Sequence, residues 1–189
     1  MKTDLSTLKV VRVGAPLPMG TLQTVTGRIL EAFTHVIRDL HLVQYDPPEF
    51  DEIEADLLTG ALHQEVGGHI LGITAADLVD RRGDGFFGFM FGGKDNRNDV
   101  AVVSIRRLVR RDGTLALERV LKVALHELGH NFGLVHHYSL EPAVGGGYCP
   151  MSKGDYNRFG ERGYLRAIVD GRGLSFCRSC LDFLRGRGG

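Results

Sequence analysis

An α/β lobe built on a twisted, mostly parallel sheet, followed by an irregular C-terminal lobe, is the fold class the sequence predicts. Three observations lead there. Strand-like and helix-like stretches alternate from Lys9 to Phe132, the pattern of parallel strands joined by crossover helices. The chain then changes character, and from Gly145 to Gly189 it is rich in Gly and Arg. Four of the eight His (His126, His130, His136 and His137) fall within twelve residues at that change. A length of 189 residues suits one domain with a sizeable core. The 43% hydrophobic and 24% charged composition excludes a disordered or low-complexity chain.

Taken in order, Lys9 to Val13 reads as a strand ending at Gly14-Ala15-Pro16. From Thr21 to Leu40 the apolar positions Leu22, Val25, Ile29, Phe33, Ile37 and Leu40 follow helical spacing. His41 to Tyr45 is a second strand, closed by Pro47-Pro48. The acidic stretch Asp46, Glu49, Asp51, Glu52, Glu54 and Asp56 reads as a solvated loop leading into a helix near Glu54 to Glu65. His69 to Thr74 is strand-like. Phe86 to Phe91 and Val100 to Ile105 are two more strands, joined by the turn-rich link Gly92-Gly93-Lys94-Asp95-Asn96. Arg110 to Gly113 is a turn, Thr114 a candidate N-cap, and a helix runs from about Leu115 to Phe132. Beyond Gly145 there is only a short helical suggestion around Cys180 to Leu184.

Charge and cysteine usage narrow the function classes. Lys+Arg and Asp+Glu are 23 each, without the basic excess usual for nucleic-acid binding. From Gly145 to Gly189 eight basic residues face four acidic ones, which reads as a solvated basic surface. No stretch is apolar enough to span a bilayer or to form a signal peptide. A cytoplasmic protein acting without membrane or nucleic acid, as a monomer, is the expectation. Three Cys cannot pair off, so clustered Cys and His in a reducing compartment point to metal rather than to disulfides.

The chemistry lies in HELGHNFGLVH, from His126 to His136. His126 and His130 are four apart, so on a helix both imidazoles leave one face. Leu117, Leu121, Ala124 and Leu128 fall on the other and can be buried. Gly133 can take a left-handed conformation that ends the helix, and the chain can then bring back His136 as a third ligand. Three His leave an open position on Zn²⁺, the catalytic rather than the structural arrangement. Glu127, on the rim of the ligand face, is placed to act as general base on a water the metal activates. A second cluster consists of Cys149 and the CxxC of Cys177 and Cys180, three thiols that need a fourth ligand to close a tetrahedral site.

HExxHxxGxxH resembles the metzincin clan of zinc metallopeptidases. The full pattern resembles the archaemetzincin family, and the likeness covers most of the chain, including GHILGITAADL and VAVVSIRRL. The resemblance implies an α+β, metzincin-like catalytic domain over residues 1–189. Its N-terminal lobe, about 1–133, carries the active-site helix. Its C-terminal lobe, about 134–189, carries a Met-turn at Met151 and a second zinc site. It implies two zinc ions per chain: a catalytic one on His126, His130 and His136, and a structural one on Cys149, Cys177, Cys180 and His137. His137 stands where the family has Cys, and the loop 138–148 is longer than the family's. His137 pointing to solvent, with water or nothing as fourth ligand, is the alternative. Restricted cleavage of a peptide or protein substrate is implied, with aminopeptidase-like action one form of it.

Other assignments are weaker. Phe86 to Phe91 is a candidate substrate-aligning edge strand or equally a buried aromatic strand. Lys153 and Tyr156 are candidates for supporting an oxyanion, with a plain surface role the commoner outcome. His35, His41, His63 and His69 have no ligand spacing. Two other functions remain compatible with the motifs: a non-catalytic, zinc-stabilised binding module, and a zinc hydrolase of a non-peptide amide or ester.

Overall fold

A computed structural model describes residues 4–80, 89–95, 97–110, 112–154, 159 and 163–187. Its centre is a five-stranded sheet of order β2-β1-β4-β7-β6. The strands are β1 (Thr7–Val13), β2 (Asp39–Tyr45), β4 (His69–Thr74), β6 (Gly92–Asp95) and β7 (Val100–Ser104). β2, β1, β4 and β7 run parallel, and β6 closes one edge antiparallel to β7 with Gly92 opposite Val103. The short strands β3 (Glu52–Glu54) and β5 (Asp77–Val79) form a separate parallel pair.

Hydrophobicity explains the layering. Every residue of β4 and β7 is buried, as expected for parallel strands covered on both faces. Edge strand β2 alternates between half-buried and exposed residues over most of its length. Helices α1 (Met19–Ala32) and α3 (Leu117–Asn131) cover one face, with Leu22, Ile29, Leu121, Ala124, Leu125 and Leu128 in the main core. Helix α2 (Ala55–Glu65) covers the other through Leu58 and Leu62. A π-helical turn (Leu165–Val169) and α4 (Arg178–Arg187) provide the regular structure described in the C-terminal part. That part shares the main core: Phe33 of the N-terminal part packs on Phe132 and on Phe176, at ring separations of 5.0 and 5.2 Å.

Several boundaries differ from the sequence reading. The first helix stops at Ala32 rather than reaching Leu40. Val36 and Ile37 still enter the core, from a turn whose amides bond to Phe33 O, and Leu40 belongs to β2. Helical spacing of apolar residues thus ran on through a turn that buries the same side. Thr114 does not cap α3. Its hydroxyl donates to Asp112, and the helix begins at Leu117 after Ala116. Residues 86–88 of the predicted strand over 86–91 lie outside the described residues, and Phe89 to Phe91 contribute one isolated bridge, Met90 to Leu78. The segment read as a turn-rich link, Gly92 to Asp95, is the edge strand β6. Glycine is used there for close approach rather than for turning, because a Cβ on Gly92 would sit 2.7 Å from Glu127 Cγ.

Candidate metal centres

Helix α3 carries His126, Glu127 and His130 at its C-terminal end, where the sheet and the C-terminal part meet. Gly133 has φ +90°, the left-handed conformation that stops the helix. Leu134 N then bonds back to Gly129 O, which turns the chain toward the helix. His136 returns to the motif face: its Nε2 lies 3.0 Å from His130 Nε2 and 3.2 Å from His126 Nε2. Met151 is fully buried beside this helix, and a Cβ on Gly129 would be 2.6 Å from its sulfur. The segment around Met151 also orients a histidine of the cluster, since His126 Nδ1 donates to Pro150 O at 2.8 Å. His130 Nδ1 donates to Leu134 O at 2.9 Å.

Those two backbone bonds fix the tautomers. With the ring proton on Nδ1, the Nε2 atoms of His126 and His130 present bare lone pairs. Burial first, then the charge of Arg172, pushes His126 well below the usual imidazole range. Burial holds His130 and His136 at about 4. All three are therefore neutral at pH 7, the state a ligating imidazole requires. Three converging nitrogens with no more than one proton among them repel each other unless a cation sits between them. This donor set fits Zn²⁺. Glu127 is adjacent, and burial pushes its carboxyl up to about 7 against the opposing pull of Arg172 and Lys94.

The second cluster begins at His137, the residue after the last histidine of the first, and is completed by three cysteines further along the chain. His137 Nε2 lies 3.1 Å from Cys180 Sγ and 3.3 Å from Cys177 Sγ, and Cys149 Sγ is 3.9 Å from Cys180 Sγ. The four ligand atoms lie within 4.8 Å of one another, a Cys₃His set suited to a closed tetrahedral zinc site. All three cysteines are free thiols. The hydrogen bond with Cys180 pulls Cys149 down to about 5, and its counterpart pushes Cys180 up. His137 thus points inward rather than to solvent. The long loop 138–148 folds back on itself, with Ala143 N bonding Gly147 O and Cys149 N bonding Glu141 O. It packs along 171–176 through bonds of Tyr148 N to Gly171 O and Val144 N to Phe176 O. The extra length is absorbed there, and Cys149 still reaches the CxxC.

Adjacent residues serve different clusters because the backbone there is extended. His137 pairs with Ser152 in an isolated parallel bridge, so the side chains of His136 and His137 diverge. Lys153 is exposed, with its amide bonded to His137 O at 3.0 Å. Tyr156 lies outside the described residues. Tyr164 reaches the same turn instead, donating its hydroxyl to Lys153 O at 2.9 Å. His35, His41 and His63 stand outside both clusters, as expected. His69 is buried in β4, edge-on to Phe132.

Three residues were missed in the sequence. Gly92 lets Glu127 lie against β6. Lys94, also on β6, acts electrostatically on Glu127 and His130. Arg172 is 4% exposed, donates to Ser152 O at 3.0 Å, and acts on Glu127 and all three histidines. A glycine pair beside a lysine was a readable hint of a functional edge. Nothing in the sequence marks Arg172 among its neighbouring arginines.

A mostly parallel sheet carrying an HExxH helix, with a third histidine brought back after Gly133, defines a metzincin-type architecture. The chain belongs to one family of that type: the model of Peptidase family M54 matches residues 17–144. It is similar to the archaemetzincin of Methanopyrus kandleri, 37% identical over 116 residues, an alignment covering 61% of this chain and 55% of that protein. The chain thus spans little more than half the length of that relative. The archaemetzincin of Aeropyrum pernix is 30% identical over 188 residues, covering 93% of this chain and 92% of that protein. The crystal structure of the Methanopyrus kandleri archaemetzincin matches with a TM-score of 0.71 at 27% identity, over 97% of this chain and 96% of that one.

Proposed function

We propose that the chain is a zinc-dependent peptidase that uses two ions. His126, His130 and His136 hold the catalytic ion, with Met151 as the Met-turn packed beside them. His137, Cys149, Cys177 and Cys180 hold a structural one. The observation that carries this reading is the convergence of three Nε2 atoms with tautomers fixed from behind, next to a carboxylate that is not one of them.

His126, His130 and His136 would hold a zinc ion, and the chemistry it would supply there is Lewis acidity. Glu127 does the proton work. Its pKa, raised to about 7 by burial, lets one carboxylate oxygen take a proton and release it to the departing amine. The backbone carbonyls of Pro150 and Leu134 hold the His126 and His130 rings in place while this happens. The Cys₃His cluster ties the segment after His136 to α4, and so fixes where the third ligand stands. A purely structural site has no use for Glu127, which favours hydrolysis over a binding module.

One chain supplies every proposed ligand, which supports a monomer. The shared core supports a single domain over 1–189, with lobes of about 1–133 and 134–189. Three clustered free thiols support a reducing, cytoplasmic setting. Even charge balance supports a peptide substrate rather than nucleic acid. No helix of the described residues is long and apolar enough to cross a membrane.

The test is Glu127→Gln. The variant should keep its zinc by elemental analysis and lose peptide hydrolysis by about 10²-fold or more. A variant that cleaves peptides as fast as the parent overturns the mechanism.

A further inference from the structure

The cleft beside the first cluster carries an unbalanced charge. Along β6, side chains alternate between faces. The Cβ direction of Gly92 points at Glu127, and that of Gly93 points at Ala55 on the other face. Lys94, two residues on from Gly92, therefore projects to the Glu127 side. It is half-buried there. Lys153 follows Ser152, the residue His137 pairs with, and its amide bonds to His137 O, which puts it one residue from His136 across that pairing. Among the described residues neither lysine has a carboxylate within ion-pair distance.

Arg172 adds a third cation, and among the described residues its guanidinium bonds to the neutral oxygens of Ser152 and Tyr164. The field of this group reaches the motif. Lys94 and Arg172 act on Glu127, His130 and His136, and Lys153 acts on His136. Tyr164, Glu127 and Cys149 partly offset the burial of the Arg172 charge. Lys94 is left on the Glu127 side of the cleft, and Lys153 adds a second positive charge felt at His136. Half-burial of the Lys94 ammonium without an ion-pair partner among the described residues is costly, whereas exposed Lys153 carries no such cost and adds only its field. A bound group that brings a negative charge relieves that cost.

We propose that Lys94 and Lys153 select a peptide bearing a carboxylate within about one residue of the scissile bond. This rests on the peptidase reading and names its substrate class. The carboxylate is either an Asp or Glu side chain or the free C-terminus of the peptide. The same arrangement repels a free α-ammonium at the scissile bond, so it sets the site against aminopeptidase-like action.

The test uses quenched fluorogenic peptides with one shared neutral core and the zinc-loaded protein. One peptide is capped and neutral, one is capped with Glu in the core, one is neutral with a free C-terminal carboxylate, and one is capped with Lys in the core. Either the Glu peptide or the free-carboxylate peptide should exceed the neutral one in kcat/KM by about tenfold, and which one it is tells the source of the carboxylate. The Lys peptide should fall below neutral, and the preference should shrink as salt is raised. Lys94→Met with Lys153→Met should bring the favoured peptide down to the neutral one. Lys94→Arg should keep the preference, and Lys94→Glu should shift it toward the Lys peptide. Zinc content and Tm establish that each variant is folded. Equal or faster cleavage of neutral or Lys peptides, or a preference that survives the double substitution, overturns the proposal. Dissociation constants on zinc-loaded Glu127→Gln, by fluorescence anisotropy, separate the two readings. If the parent cleaves no peptide, the peptidase reading fails, yet tighter binding of the anionic peptides still supports the charge selection and equal binding still overturns it.

Discussion

Replacing Gly92 by alanine places a methyl group 2.7 Å from Glu127 Cγ, 2.9 Å from its Oε1 and 3.0 Å from its Cδ. Ordinary carbon contacts need about 3.5–4.0 Å, so something must move by about 1 Å. β6 is held by its pairing with β7, and the Glu127 side chain is the softer partner. The carboxylate is therefore the group displaced. A shift of that size in a group that must meet a reacting proton costs about 100-fold in rate. Global stability should change by no more than about 1 kcal/mol, because a side chain rather than backbone gives way. Gly93→Ala is the matched control. Its methyl group would face the other side of the strand, 3.1 Å from Ala55 Cβ on α2. It should cost about 1 kcal/mol of stability by overpacking and leave kcat close to the parent. The assay is peptide hydrolysis by both zinc-loaded variants, with thermal unfolding and zinc analysis alongside. If Gly92→Ala retains activity within about threefold of the parent, Glu127 does not need the position described here, and the reasoning fails.

Further outcomes follow from other contacts. Gly129→Ala puts a methyl group 2.6 Å from Met151 Sδ in a fully packed region. It should lower stability by about 1–3 kcal/mol in thermal unfolding, and an unchanged Tm would contradict that packing. His69 is held neutral at about 4 by burial, against 6.5 in the unfolded chain. The unfolded state binds more protons between those values, so its contribution to stability is full above pH 6.5 and is lost as pH falls toward 4. That is about 3 kcal/mol, measurable as a flatter pH–stability curve for His69→Gln than for the parent. A chelator should strip the three-histidine site faster than the closed Cys₃His site. Cys177→Ser should then reduce bound zinc from two ions to one and lower Tm, and unchanged zinc in that variant argues against the second site.

The elements that the sequence predicts well are those whose pattern is local. β4 and β7 are continuous apolar runs, and the face of α3 is set by Leu121, Ala124 and Leu128 against His126 and His130. The first cluster is legible for the same reason: its three histidines lie within eleven residues, and one helix turn plus Gly133 sets their geometry. The edge strand was misread because glycines signal turns by default. Here Gly92 is small so that Glu127, 35 residues away in sequence, can lie against it.

The α/β class, the motif helix and six candidate ligands (His126, His130, His136, Cys149, Cys177 and Cys180) are readable from local spacing and thiol count, and the family resemblance adds His137. Tertiary packing alone turns His137 inward to Cys177 and Cys180, folds the long loop 138–148 along 171–176, and brings Lys94 and Arg172 to bear on Glu127 and Lys153 on His136. Those facts depend on segments far apart in the chain being packed together. Charge and proximity across a fold leave no period or spacing in the sequence to read.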